Sequence, residues 1–165
     1  MDRRALLLGA LCAVLPDIDV VGFGYGIQYG DLWGHRGLTH SLIFAALLSA
    51  LLVALCYRQE SKLAMAGMGL YFFLSAASHG VLDALTDGGL GVAFFSPFDT
   101  TRYFFPVRPV AVSPIGISEF FTAYGVQVLA SEALWIWLPS AALFLAFRLL
   151  QRMRSDQPVR ELSPP

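Results

Sequence analysis

The chain has 165 residues, a length suited to one domain, and is 56% hydrophobic with only 14% charged residues, against about 25% charged in an ordinary soluble domain. A mean hydropathy of +0.62 and a net charge of −1 argue against a water-solvated surface and against a nucleic-acid binder. The basic residues from Arg148 onward fit a membrane flank, not a DNA footprint.

The first segment opens with Met1-Asp2-Arg3-Arg4 and an apolar run, Leu6 to Leu15. This resembles a signal peptide, but no clear small-x-small cleavage site follows, which predicts an uncleaved first helix. Ten apolar residues are too few for a bilayer core that needs about 20. Pro16 ends the run, so a short or tilted helix is expected. Three further apolar segments, Ser41 to Tyr57, Leu63 to Leu85 and Gln127 to Leu150, are near spanning length. Cys12 and Cys56 lie inside apolar runs with no CxxC pair and read as packing residues.

Two long connections separate these segments. Asp17 to His40 holds six glycines. Thr86 to Val126 holds four prolines and a dense set of aromatics, among them Phe94, Phe95, Phe98 and Tyr103, a composition suited to the headgroup level. Arg58 to Lys62 is a tight helical hairpin. The expected fold is an all-α integral membrane protein. It is a bundle of about four helices, three near full span and one short and N-terminal, with long non-cytoplasmic loops. Residues 1–154 form one membrane-embedded domain, and 155–165 form a disordered tail.

Basic residues set the orientation. With Arg3 and Arg4 in the cytoplasm and four crossings, Arg58, Lys62, Arg148, Arg152 and Arg154 also fall inside. Only Arg36, Arg102 and Arg108 fall outside. Under this topology the three histidines of the chain, His35, His40 and His79, meet Asp17, Asp19 and Asp83 at the non-cytoplasmic face. His79 and Asp83 are i and i+4 on one helix face. Asp17 and Asp19 share a side if that stretch is extended. His35 and His40 flank a glycine turn, with Thr39 or Ser41 as a helix cap.

Imidazole and carboxylate ligands suit Zn²⁺, Mn²⁺ or Fe²⁺. Six candidates exceed the four that a tetrahedral zinc uses, so one or two ions are expected, zinc first. Ionisable groups near membrane depth usually mark function. Asp17 is the candidate general base, and Arg36 and Arg102 are candidates to hold a substrate phosphate. Thr86 and Asp87 are candidates to support the ligands from behind. Glu119 reads as a helix-start charge, and Glu132, near the outer part of the fourth segment, has no assigned role.

The strings Leu15-Pro16-Asp17-Ile18-Asp19, His35-Arg36-Gly37-Leu38-Thr39-His40-Ser41 and His79-Gly80-Val81-Leu82-Asp83-Ala84-Leu85-Thr86 resemble the membrane-bound metal-dependent hydrolases. That family is also described as LexA-binding and inner-membrane-associated. The resemblance runs from about Leu6 to about Pro109, with Ser96-Pro97-Phe98 and Arg102 as a weaker part. It implies a bacterial inner-membrane location and a distant similarity to zinc-dependent phospholipase C. It also implies attack of activated water on an ester, a phosphoester of a lipid or other amphiphile. The alternatives are a metal-binding transporter and a non-catalytic membrane scaffold.

Overall fold

The protein, described here over residues 3–155 by a computed structural model, is all-helical. Helix α1 covers Arg3–Val14 and runs directly into a 3₁₀ segment, Leu15–Tyr25. Helix α2 covers Leu42–Cys56, α3 Lys62–Ala84, α4 Ile117–Phe120, α5 Ala123–Glu132 and α6 Leu138–Ser155. A π-helical turn, Ala133–Trp137, joins α5 to α6. Among the described residues no strand forms, and only two isolated bridges, Thr86 with Val110 and Val92 with Tyr103, pin the second long loop. The tail expected to be disordered lies outside the described residues, except Ser155, which closes α6.

Three stretches are long and apolar enough to cross a membrane: Arg3–Tyr25, Lys62–Ala84 and Ala123–Arg154. The expected lengths of the first two segments are therefore reversed. Pro16 does not stop the first helix. It stands in the opening turn of the 3₁₀ segment, where its missing N–H is no loss, and the chain continues to Tyr25. The second segment has 15 helical residues, about 22 Å at 1.5 Å per residue, short of a full span. Ser41, not Thr39, caps α2, its Oγ accepting from Phe44 N at 3.1 Å. Ser61 caps α3 in the same way at 3.3 Å.

Helices α1 and α2 both pack against α3. Their contact surfaces are made of small residues. Ala5, Cys12, Ala45 and Ala76 are buried around Phe72 and Val53. Lipid is as apolar as the helices themselves, so close backbone approach is what holds them together. Ser49 adds a polar tie, donating to Gly69 O at 2.6 Å. Cys12 and Cys56 are free thiols within this packing.

The α5–α6 arm touches the rest through its first turns. Ser131 Oγ accepts from Ala111 N at 3.0 Å, and Tyr124 OH donates to Val112 O at 2.8 Å. Beyond the π turn, Leu143, Phe144, Leu145 and Phe147 are all exposed, the surface of a helix solvated by lipid on all sides.

The two long loops fold against each other at one end of the bundle. Leu42 N donates to Phe94 O and Ala93 N to Arg36 O, each at 3.0 Å. Phe105 N donates to Ala84 O at 2.9 Å. At the opposite end the Arg4 guanidinium lies 5.8 Å from the Tyr57 ring.

Candidate metal centre

Three chain segments bring the chemistry together. The 3₁₀ segment presents Asp17 and Asp19. In a three-residue turn, positions i and i+2 face different directions, so the two carboxylates do not share a side as an extended chain would have placed them. Instead they address opposite edges of the His40 ring. Asp17 Oδ1 is 3.5 Å from His40 Nε2, and Asp19 Oδ2 is 3.2 Å from His40 Nδ1. His40 ends the short 3₁₀ turn Leu38–His40, and α3 presents His79 and Asp83 one turn apart.

Four groups converge on one point. Asp17 Oδ1 lies 3.1 Å from His79 Nε2 and 3.5 Å from His40 Nε2. Asp83 Oδ2 lies 3.1 Å from His40 Nε2 and 3.6 Å from His79 Nε2. A tetrahedral zinc with bonds of about 2.0–2.1 Å requires ligand–ligand edges of about 3.3–3.4 Å. The four separations bracket that value.

Tautomers agree with this geometry. His79 Nδ1 is 2.7 Å from Ala13 O; a carbonyl can only accept, so Nδ1 carries a proton and Nε2 is the edge that faces Asp17. His40 Nδ1 faces Thr39 Oγ1 at 3.1 Å and the Asp19 carboxylate, again leaving Nε2 toward the common point. Metal-bound histidines are commonly held this way, with the far nitrogen donating to a carboxylate or carbonyl. Two atoms at the focus, His40 Nε2 and Asp83 Oδ2, are fully buried with no hydrogen-bond partner. They are 3.1 Å apart but not aligned as a hydrogen bond. Buried polar atoms are rarely left so, and an ion between them resolves the cost.

Asp19 and His35 occupy a different position from the one expected of ligands. With His40 they form a second group whose ligand atoms lie within 4.8 Å of one another. The Asp19 carboxylate, however, is already saturated. It accepts from Thr39 Oγ1 at 2.6 Å and Arg36 N at 3.2 Å, and pairs with His35 Nδ1 at 2.8 Å. His35 in turn stands edge-on to the Tyr29 ring, 5.2 Å between centroids. The pair orients His40 from behind.

Arg36 and Arg102, expected to hold substrate, both bond to the protein itself. Arg36 is 3% exposed. Its Nη2 donates to Asp83 Oδ1 at 2.9 Å, and its Nη1 to Thr86 Oγ1 and Gly88 O, both at 3.0 Å. It holds Asp83 from the side away from the focus. Arg36 has φ +62°, a left-handed backbone rare outside glycine, and such strain persists where the surroundings fix it. Arg102 is spent on backbone carbonyls: His35 O and Tyr29 O, each at 2.9 Å. It ties the second loop to the first. Thr86 Oγ1, expected to support the ligands, accepts from Arg36 Nη1 and donates to Asp83 O. Asp87 does not join the site; its Oδ1 accepts from Val112 N at 2.8 Å. Glu119 is exposed and pairs with Ser118 Oγ.

Sequence reasoning gave Thr39 only a capping role, although it adjoins His40 and braces Asp19. It gave Glu132 none, although a single carboxylate in an apolar span was a visible signal. Glu132 lines a cavity of about 500 Å³ together with Asp17, His79 and Asp83.

Gly80 is where α3 meets the His40 turn. A Cβ there would stand 2.9 Å from His40 O, and neither backbone can yield cheaply. Gly80→Ala is expected to shift His40 off the focus and destabilise the fold by about 1–3 kcal/mol. Thermal unfolding and zinc titration of the variant check both effects.

A family model described as YdjM inner membrane protein matches residues 2–155. The chain is 40% identical over 140 residues to inner membrane protein YbcI of Escherichia coli K12, covering 85% of this chain and 80% of that protein. No solved structure gives a significant match.

Proposed function

This chain belongs to the family of YdjM inner membrane proteins, and from that membrane setting we propose that it is a hydrolase that depends on one divalent metal ion. The observation that carries the reading is the four-way convergence of Asp17, His40, His79 and Asp83, with two buried atoms at its focus that make no hydrogen bond. The donor set, two imidazoles and two carboxylates at tetrahedral separations, fits zinc, with manganese or iron as weaker fits. Such an ion supplies Lewis-acid chemistry and brings the acidity of water near neutral pH.

The chain's own residues do the rest. Asp17 is the most open of the four, its side chain 52% exposed. Its Oδ1 faces the focus, which leaves Oδ2 as the site that takes a proton from water. Asp19 and Thr39 keep the His40 ring in one tautomer, and Arg36 fixes the Asp83 carboxylate. Val20, Leu82, Ile136 and Trp137 line the cavity beside the polar cluster. That wall suits an ester on an amphiphile, a phosphoester first, entering from the bilayer. The centre lies at the end of the bundle away from Arg4 and Tyr57. With the basic residues cytoplasmic, it opens at the non-cytoplasmic face.

The test is elemental analysis of the purified chain, followed by hydrolysis of phospholipids and model phosphodiesters with and without chelator. One zinc per chain and chelator-sensitive turnover are expected. Equal rates for wild type and His79→Ala would sink the hydrolase reading.

Metal binding carries a defined pH dependence. Burial by itself lowers the pKa of His40, but Asp17, Asp19 and Asp83 outweigh it and push the imidazole up to about 10 in the metal-free chain. Its contribution to the metal-free fold is complete below about 6.5 and is lost as pH rises through about 10. Metal requires the deprotonated ring and displaces that proton, so zinc affinity rises about tenfold per pH unit across neutrality. Proton release on adding zinc at pH 7 in weak buffer measures it.

A further inference from the structure

The cavity beside the metal cluster has a lopsided charge. Of its lining residues, Asp17, Asp83 and Glu132 are carboxylates, and Arg36 is the only arginine or lysine. The two Arg36 Nη atoms are engaged with Asp83, Thr86 and Gly88. A metal at the focus neutralises Asp17 and Asp83. Glu132 then stands alone on the α5–α6 wall, across the cavity from α3. Among the described residues no hydrogen bond or ion pair reaches its carboxylate. It is half-buried and is the one carboxylate of the predominantly apolar span Ala123–Arg154. The π turn Ala133–Trp137 starts directly after it, and π turns within helices frequently occur at functional sites. A carboxylate kept in an apolar span without a partner is costly, and the cavity leaves room for a ligand to bring that partner.

We propose that Glu132 docks an ammonium group, so that the cavity takes an amine-bearing amphiphile, its anionic or ester part at the metal cluster and its ammonium at Glu132. This rests on the reading of the cavity as an amphiphile site and is independent of whether hydrolysis follows. It selects zwitterionic headgroups over purely anionic ones, because a second anion would face Glu132 with no cation to meet it. Trp137, on the next turn of the same wall, also lines the cavity, and an aromatic face attracts an ammonium.

The experiment is native mass spectrometry of the full zinc-loaded chain, released from micelles holding equimolar phosphatidylethanolamine and phosphatidylglycerol with identical acyl chains. About tenfold or greater enrichment of the ethanolamine lipid is expected, the factor a charge-assisted hydrogen bond carries. Glu132→Gln should abolish the enrichment while retaining one zinc per chain, and Glu132→Asp should keep part of it. Equal retention of the two lipids by wild type, preference for the glycerol lipid, or enrichment that survives Glu132→Gln would each overturn the proposal. Displacement of bound lipid by soluble phosphoethanolamine would support it and assign the ammonium to a free amine; resistance to displacement would support it and assign it to a lipid. Glu132-dependent enrichment in a chain that elemental analysis shows to hold no zinc would overturn the metal reading and leave the ammonium contact at Glu132 standing.

Discussion

His40→Ala is expected to abolish metal binding: elemental analysis of the variant should find no zinc where wild type holds one ion per chain. The reason is positional. His40 is the residue on which both carboxylates of the 3₁₀ segment converge, and its ring is completely buried. Alanine removes a ligand from the four-way focus, and it also strips Asp19 and Thr39 of the group they brace. The remaining Asp17, His79 and Asp83 leave one corner of the tetrahedron open. Asp19→Asn separates bracing from ligation. It keeps the shape of the contacts with Thr39 and His35 but loses the charge, so zinc stays at one per chain with affinity weakened about 10–100-fold. Complete loss of zinc in Asp19→Asn would instead make Asp19 a ligand.

Arg36→Met is expected to cost the most stability of any single change, about 3–5 kcal/mol. The guanidinium is 3% exposed and its partner Asp83 is 17% exposed at the side chain, so removal leaves a largely buried carboxylate without its guanidinium partner. It also leaves Gly88 O and Thr86 Oγ1 without their donor. Thermal unfolding in detergent measures the loss. Zinc partly restores the variant, because the ion neutralises Asp83 from its other oxygen, and ligand binding to the folded state adds stability by mass action. Arg36→Met combined with Asp83→Leu should recover much of the metal-free stability while losing zinc binding. A single Arg36→Met variant as stable as wild type without metal would refute the structural role.

How much was legible in the sequence differs by level. The all-α membrane class followed from hydropathy and charge, because lipid forces backbone polar groups to pair within each segment. The convergence of Asp17, Asp19, His35, His40, His79 and Asp83 followed from topology alone: three segment ends at one face can hardly avoid one another. The division of labour among those six was not legible. His35 and His40 are equal as letters, and so are Asp17 and Asp19. Only the 3₁₀ twist after Pro16 sends one carboxylate to Nε2 of His40 and the other to Nδ1. The internal bonds of Arg36 and Arg102 were not legible for a related reason. A guanidinium suited to phosphate is equally suited to carbonyls and carboxylates, and burial alone tells which it serves.

The feature first legible was the Asp and His cluster at one end of an apolar bundle, and residue type and spacing were sufficient for it. Two things waited for tertiary structure. One is the narrowing of six candidates to four that meet at zinc-like separations, since ring edges and carboxylate directions depend on backbone turns that periodicity does not encode. The other is the joining of Glu132 to the same cavity. Residues more than a hundred positions apart in the chain line that cavity because Ala111 and Val112 anchor α5 there.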